Sequence, residues 1–493
     1  MKPISRREFV QKTLAAGAVA SLSSALSGCG ASTRILGAND AVRVAVAGIR
    51  SKGSDHIEQF RKIPGVRVVA LCDPDSDILA RETAKFTERN EKVEAFADIR
   101  KLLERKDVDA LVIAAPNHWH SLMAIWACQA GKDVYVEKPV SHNVHEGRQA
   151  VLAARRYKRI VQAGTQSRSD EALQEAFGDI RRGSLGPMRI VRGFCYKRRE
   201  SIGKVDGPQP ITQSVDYDLW TGPAPLEPLM RRELHYDWHW FWNTGCGDIG
   251  NQGCHELDMC RWAVGQSGLP TSVFSIGGRF GYEDDGQTPN TQVAFFAYNP
   301  VPILFEVRGL PRKTGDTAMD AFKGVRIGIV IECENGIFAG GAGGGWTYDN
   351  DGNKIRQYAS TGGDRHAANF IQAVRSRNPS DLNADIHIGH VSAMLHHLAN
   401  ISHRLGRRMP FKEIEKSLDP ETAAAFQRFE NHLAENGLDP ALAQAVSGLR
   451  LEIDDDGNER ERFISRSAYD TGFWANRMLT RNYRPPFVVP EDI

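Results

Sequence analysis

The chain has 493 residues, enough for two or three domains, and its 62 basic and 61 acidic residues leave a formal net charge of +1. That balance gives no electrostatic footprint for nucleic acid, and an apolar content of 41 % excludes a disordered chain. Cysteines stand at 29, 72, 128, 195, 246, 254, 260 and 333 without a C-x-x-C pair, which excludes zinc-ribbon and thioredoxin-like motifs.

The N-terminus reads as an address. Ser5-Arg6-Arg7-Glu8-Phe9-Val10 is a twin-arginine pattern, and residues 14–26 form a mildly apolar stretch too short and too weak to span a membrane permanently. Leu26-Ser27-Gly28-Cys29 resembles a lipoprotein box, so Cys29 is the expected lipidation site. The expectation is an exported protein, periplasmic or membrane-anchored, that meets the membrane only through this N-terminal lipid. Residues 1–39 are assigned to signal and tether.

Residues 40–165 carry the pattern of a dinucleotide-binding Rossmann domain. Val42-Arg43-Val44-Ala45-Val46-Ala47 suits a buried parallel strand, and Gly48-Ile49-Arg50-Ser51-Lys52-Gly53 follows it into a helix over 55–62. Gly48 permits the tight turn and Gly53 close packing, with the helix N-terminus facing a pyrophosphate. Arg50 replaces the middle glycine, where it either caps a phosphate or crowds it. The strand over 66–72 ends at Asp73, whose carboxylate would accept ribose hydroxyls and repel a 2′-phosphate, favouring NAD over NADP. Further strand signals end in Pro116-Asn117-His118, in Glu137-Lys138-Pro139 and in Gly164-Thr165-Gln166. Ligands of a doubly wound sheet lie beyond the carboxyl ends of its strands, so these polar ends are aimed at the cofactor crevice.

With Glu137-Lys138-Pro139 in place after the glycine turn and Pro116-Asn117-His118, and with residues 245–262 downstream, the chain resembles the Gfo/Idh/MocA family of glucose–fructose oxidoreductase, inositol dehydrogenase and rhizopine-catabolism proteins. The resemblance implies a C-terminal α/β domain on an open, mainly antiparallel sheet whose far face mediates homo-oligomers. Strand-like runs at 272–280, 291–298, 302–308 and 325–333 agree with it. It also implies that Lys138 lies beside the nicotinamide and helps the oxidised hydroxyl lose its proton. In Asn251-Gln252-Gly253-Cys254-His255, His255 matches the family's proton-relaying histidine, whereas Asn251 stands where relatives usually carry Asp. Asparagine cannot ionise, although it can fix an imidazole or bind a hydroxyl; Asp248 is nearby in sequence.

The second domain, 166–411, holds the other candidates. His235-Tyr236-Asp237-Trp238-His239-Trp240-Phe241-Trp242 crowds aromatic faces among polar groups, a mixture that suits a sugar ring as well as a core. Trp238, His239 and Trp240, with Tyr196, Lys197 and Arg199 after the strand-like run 189–194, are the candidate substrate contacts. His235 and His239 are spaced as i, i+4 metal ligands, but no third ligand is placed by sequence, so no metal is expected. Helices are expected at 366–374 and 389–405, a loop at the glycine-rich 340–345, and an accessory, mostly helical segment at 412–493 that includes the acidic run Asp454-Asp455-Asp456.

The leading function is therefore NAD-dependent oxidation of a hydroxyl on a carbohydrate or polyol. The alternative is a redox-neutral glycosidase or lyase working by oxidation, elimination, addition and reduction. A non-catalytic sugar-binding lipoprotein is the third class, against which Lys138 and His255 argue.

Overall fold

The computed structural model describes residues 41–362, 365–454, 461–467 and 469–493. The twin-arginine and Cys29 expectations lie outside the described residues, as do Asp455 and Asp456.

Six parallel strands build the first sheet: β1 (Val42–Ala47), β2 (Val66–Cys72), β3 (Glu94–Phe96), β4 (Ala110–Ile113), β5 (Asp133–Glu137) and β6 (Val161–Gly164), in the order β3-β2-β1-β4-β5-β6. Four of them, β1, β4, β5 and β6, are almost wholly buried, as expected where helices cover both faces of a parallel sheet. The covering helices start where the sequence supplies caps. Asp75 accepts from the backbone N–H of Asp77 at Ser76–Glu88, and Asn143 accepts from Glu146 at Val144–Arg156. The order reverses between β1 and β4, so a crevice opens beyond their carboxyl ends.

The second sheet has twelve strands. Beginning with β7 (Met188–Tyr196), it continues through β8 (Ser272–Gly278), β9 (Thr291–Phe296), β10 (Ile303–Arg308) and β11 (Ile327–Cys333). Every described pairing in it is antiparallel except that of β7 with β10. Helices Glu171–Arg181, Gly253–Val264 and Ile386–Arg404 pack on one face through Phe177, Leu257, Leu395 and the inward residues of β7–β11. Helix Pro420–Glu435 covers part of the other face through Phe426 and Phe429.

Two expectations change. The glycines of 340–345 are not a loop but pair in a hairpin of β12 (Gly336–Gly341) and β13 (Gly344–Tyr348). A Cβ at Gly340 would lie 2.3 Å from the carbonyl oxygen of Gly344, so bare backbone is required where the strands approach. Nor is the segment after 412 uniformly helical. Beyond β14 (Lys354–Ala359) and β15 (Arg407–Pro410), β16 (Gln444–Ser447) and β17 (Leu451–Asp454) pair onto β8, and β18 (Arg462–Phe463) pairs with β17. Alternation of buried Leu451 and Ile453 with Glu452 outvotes the polar composition there. The final residues return to the first domain, where Phe487 meets Trp119 edge-on at 5.4 Å and Val489 joins the same core.

Candidate active site

A crevice of ≈ 1250 Å³, counted with its open mouth, runs along the carboxyl ends of β1, β2, β4 and β5. Its floor is the glycine turn. Gly48 has φ +74°, and a Cβ there would lie 2.5 Å from the Ala115 nitrogen; one on Gly53 would lie 1.8 Å from the Gly48 oxygen. Both positions therefore demand glycine, and the bare backbone leaves a cradle at the N-terminus of helix Lys52–Arg61 that fits a pyrophosphate. Ile49 is buried, and its N–H donates to Asp73 at 3.0 Å. The other Asp73 oxygen accepts from the Asp75 N–H at 3.1 Å, so this carboxylate also shapes the turn. Burial and the charge of Asp75 raise its pKa to about 6, against the pull of those two N–H groups and Arg50. Arg50 lines the crevice, with its guanidinium 3.5 Å from Asp75.

Of the three other strand ends, Pro116, Asn117, Glu137 and Lys138 line the crevice. His118 and Gln166 do not. The His118 ring is buried under Trp220, its nitrogens 3.1 Å from the Trp220 carbonyl and 3.4 Å from that of Thr244. Gln166 donates to Glu137 at 2.8 Å and to the Tyr135 hydroxyl at 3.0 Å. Glu137 also meets His56 Nε2 at 2.8 Å; despite the burial penalty, His56, Lys138 and Lys52 hold its carboxyl well below the usual range. Glu137 and Gln166 thus act together as a strut at the end of β5 rather than as free ligand donors.

Lys138 projects from that strut to the second domain, where its Nζ donates to the carbonyl oxygen of Asn251 at 2.7 Å. Asn251 and His255 do not share one helix. Helix Gly247–Gly250 ends before Asn251 and helix Gly253–Val264 starts after it, so Asn251 offers its backbone carbonyl from the break. His255 stands on the first turn of the second helix. Burial, then the charge of Lys138, lowers its pKa to about 3, leaving a neutral imidazole. The first carboxylate of this stretch is committed elsewhere: Asp248 accepts a two-pronged bond from Arg199 at 2.9 and 2.6 Å.

Around this centre, Arg199 also donates to the Tyr236 hydroxyl at 2.9 Å, and Lys197 donates to Gln252 at 2.9 Å. His239 donates from Nδ1 to the Tyr236 carbonyl at 2.6 Å, because a carbonyl can only accept; its Nε2 is left as an acceptor. The ring stacks on Trp238 with centroids 3.6 Å apart, and both line the crevice. Trp240 instead lies behind, under the Arg199 guanidinium at 5.2 Å. Tyr196 is on the far face of the sheet. It follows Phe194 in the alternation of β7, and its hydroxyl donates to Glu306 at 2.7 Å. His235 and His239 do not converge as ligands, since His235 pairs with Asp75 at 3.2 Å.

Several crevice residues had no sequence signal. Leu219 and Trp220 reach it from a long excursion after β7 that is tied to the first domain by the Asp216 N–H to Pro74 carbonyl bond at 2.9 Å. Lys52 adds charge felt by both Glu137 and His255.

The buried histidines set a pH dependence. His118 and His255 fall to about 3 and His366 to about 4, each mainly through burial, whereas the unfolded side chains titrate near the ordinary value. Below that ordinary value the unfolded chain binds protons that the folded chain refuses, so stability falls as pH drops from 7 to 5. The fully buried His118 contributes roughly 2 kcal/mol to this loss. Glu256, raised to about 8, Glu430, to about 7, and Asp73 and Asp237, each to about 6, oppose it, mainly through burial, but His239, His397 and His403 add to the histidine side. Urea unfolding at the two pH values should give the lower free energy at pH 5; equal or higher stability there would contradict the assignment.

Comparisons with known proteins agree with this fold. The family model described as an oxidoreductase family with an NAD-binding Rossmann fold matches residues 42–165, and that of the same family's C-terminal alpha/beta domain matches residues 187–276. A glycosyl hydrolase family 109 protein of Shewanella sp. strain ANA-3 is 33 % identical over 167 residues, 30 % of this chain and 36 % of that protein. One from Shewanella putrefaciens strain CN-32 is 36 % identical over 122 residues, 24 % of this chain and 27 % of the relative. The chain thus spans about a third of the length of the first of these relatives. Among solved structures, the WlbA dehydrogenase of Bordetella pertussis in complex with NADH and UDP-GlcNAcA superposes with a TM-score of 0.53 at 18 % identity, covering 73 % of this chain and 96 % of that one. An NAD-binding protein of Listeria innocua gives 0.51 at 18 %, covering 72 % and 94 %. At such identities the likeness concerns the fold.

Proposed function

Because this chain belongs to the Gfo/Idh/MocA oxidoreductase family, we propose that it oxidises a hydroxyl of a carbohydrate or polyol with NAD held in the crevice. The observation that carries the reading is Lys138, whose ammonium joins the end of β5 to the Asn251 carbonyl of the second domain at 2.7 Å. A bound nicotinamide supplies the acceptor for the hydride that leaves the carbinol carbon. Gly48, Gly53 and the helix N-terminus hold the pyrophosphate, and Asp73 the adenosine ribose.

The chain's own groups manage the hydroxyl. Lys138 retains N–H groups beyond the one given to Asn251 and polarises the oxygen. His255, kept neutral beside that charge, is the proton acceptor that the family resemblance implies, although its ring lies outside the crevice lining. His239 offers Nε2 as a second acceptor, while Trp238 presents an apolar face to a sugar ring. Asp248 fixes Arg199, and Arg199 fixes Tyr236, so the substrate wall is held before substrate arrives.

NAD is preferred to NADP in this proposal, since Asp73 and Asp75 put carboxylate at the ribose end and Arg50 is already paired. Calorimetric titration should give NAD at least tenfold tighter, about 1.4 kcal/mol; tighter NADP would overturn the choice. A second reading, redox-neutral glycoside cleavage, is favoured by the non-ionisable Asn251 and by the glycosyl hydrolase relatives. Release of an aglycone without accumulation of reduced cofactor would select it. Twin-arginine export and lipidation of Cys29 belong to the same proposal, supported by residues 5–10 and 26–29 alone. Association through the far face of the second sheet rests on the family resemblance.

A further inference from the structure

Behind the Asn251 turn lies a second group of chemistry-bearing side chains that the proposed reaction does not use. Cys246, His396 and His397 are all buried, and their ligand atoms (one thiol sulfur, one nitrogen from each ring) lie within 4.8 Å of one another. The two rings approach to 4.1 Å between centroids although they are neighbours on one helix. Both nitrogens of His396 are buried without a hydrogen-bond partner. Buried polar atoms left unpaired in this way are costly and call for a missing partner. His397 is oriented by Ser141, whose carbonyl and hydroxyl oxygens lie 3.2 and 3.3 Å from its Nε2. Gly250 leaves the room: a Cβ there would stand 2.4 Å from that of Cys246 and 3.2 Å from His396 Nε2.

We infer that Cys246, His396 and His397 form a binding site for a zinc-class divalent cation. One thiolate and two imidazoles are the donor set of a borderline-soft ion, and three protein ligands are the number found where a fourth position stays open to water. The side to hold that water is available, because a cavity of ≈ 820 Å³ is lined by Cys246 and His397 together with Asn400. On binding, the Cys246 thiol loses its proton to solvent and its sulfur forms the metal bond, while each imidazole gives a nitrogen lone pair; no electron is transferred. The Ser141 contacts supply the outer support that metal-bound histidines usually have. Asn400 adds to it, donating to the Cys246 carbonyl at 2.8 Å.

The position gives the ion a task. Cys246 immediately precedes helix Gly247–Gly250, which carries Asp248 and leads to Asn251, whereas His396 and His397 belong to helix Ile386–Arg404. A cation joining them pins the turn that offers its carbonyl to Lys138. The inference is independent of the reaction proposed above, because it is tested with metal alone, without cofactor or substrate.

The test is a titration of the full chain, stripped with a chelator, with Co²⁺ and then Zn²⁺. We expect about one Co²⁺ per chain, a thiolate-to-cobalt charge-transfer band with tetrahedral d–d bands, displacement of both by Zn²⁺, and a higher melting temperature with either ion. Cys246→Ser should lose the charge-transfer band while keeping its circular dichroism. Absence of the thiolate band in the unaltered protein overturns the inference without recourse to any variant, as does persistence of the band in Cys246→Ser.

Discussion

Lys138→Ala is expected to lower turnover at least about 100-fold while dinucleotide affinity stays within twofold. The size follows from what is removed. A positioned proton-handling group contributes roughly 10²- to 10⁴-fold, and here the same ammonium also orders the Asn251 turn through its 2.7 Å bond. Affinity should be preserved because the glycine turn and Asp73, which the proposed function assigns to the pyrophosphate and ribose, lie on other strands. Steady-state rates on any hydroxylated sugar that the unaltered protein turns over, with calorimetry for NAD, separate the two effects. Equal loss of affinity and rate would make Lys138 a scaffold rather than a chemical group, and an unchanged rate would remove it from the reaction.

Gly53→Ala has the largest expected effect on binding. Its Cβ would enter to 1.8 Å from the Gly48 carbonyl oxygen, a backbone atom fixed by the Gly48 N–H to Cys72 carbonyl bond at 2.9 Å. Neither atom can swing aside as a side chain would. The helix N-terminus must therefore withdraw, taking with it the N–H groups that face the phosphates. Loss of at least about 100-fold in NAD affinity, or roughly 2.7 kcal/mol, is expected. Gly207→Ala, which meets nothing within 4 Å, should leave affinity unchanged. Normal binding by Gly53→Ala would mean that the dinucleotide lies elsewhere.

The first domain was legible because its signals are local. A β-branched run, a glycine turn and a helix occupy twenty consecutive residues, 42–61, and burial on both faces of β1 leaves the pattern little freedom. The strand ends at Asn117 and Lys138 were equally readable, since topology alone aims them at the crevice. What failed to show was side-chain direction. Tyr196, Lys197 and Arg199 read as one group in the sequence, yet β7 alternates: Phe194 and Tyr196 face away, and Cys195 belongs to the core on the other side. Period-two counting along β7 would have separated them. His118 looked like a cofactor contact because it follows Asn117, but the Trp220 and Thr244 carbonyls that flank it are more than 100 residues away in sequence.

Partnerships across long separations were beyond pattern reading altogether. Nothing local marks Asp248 as the anchor of Arg199, 49 residues earlier, or brings Cys246 to His396. The Gly340 hairpin misleads for the opposite reason: glycine composition says loop, while the requirement for two backbones in close approach says strand.

A crystal structure of the protein with NAD would locate the dinucleotide. The expected result is pyrophosphate on the N–H groups above Gly48 and Gly53, and a nicotinamide ring facing the Lys138 ammonium across a gap that admits one hydroxyl-bearing carbon. A dinucleotide bound outside this crevice, or one whose nicotinamide points away from Lys138, would contradict it.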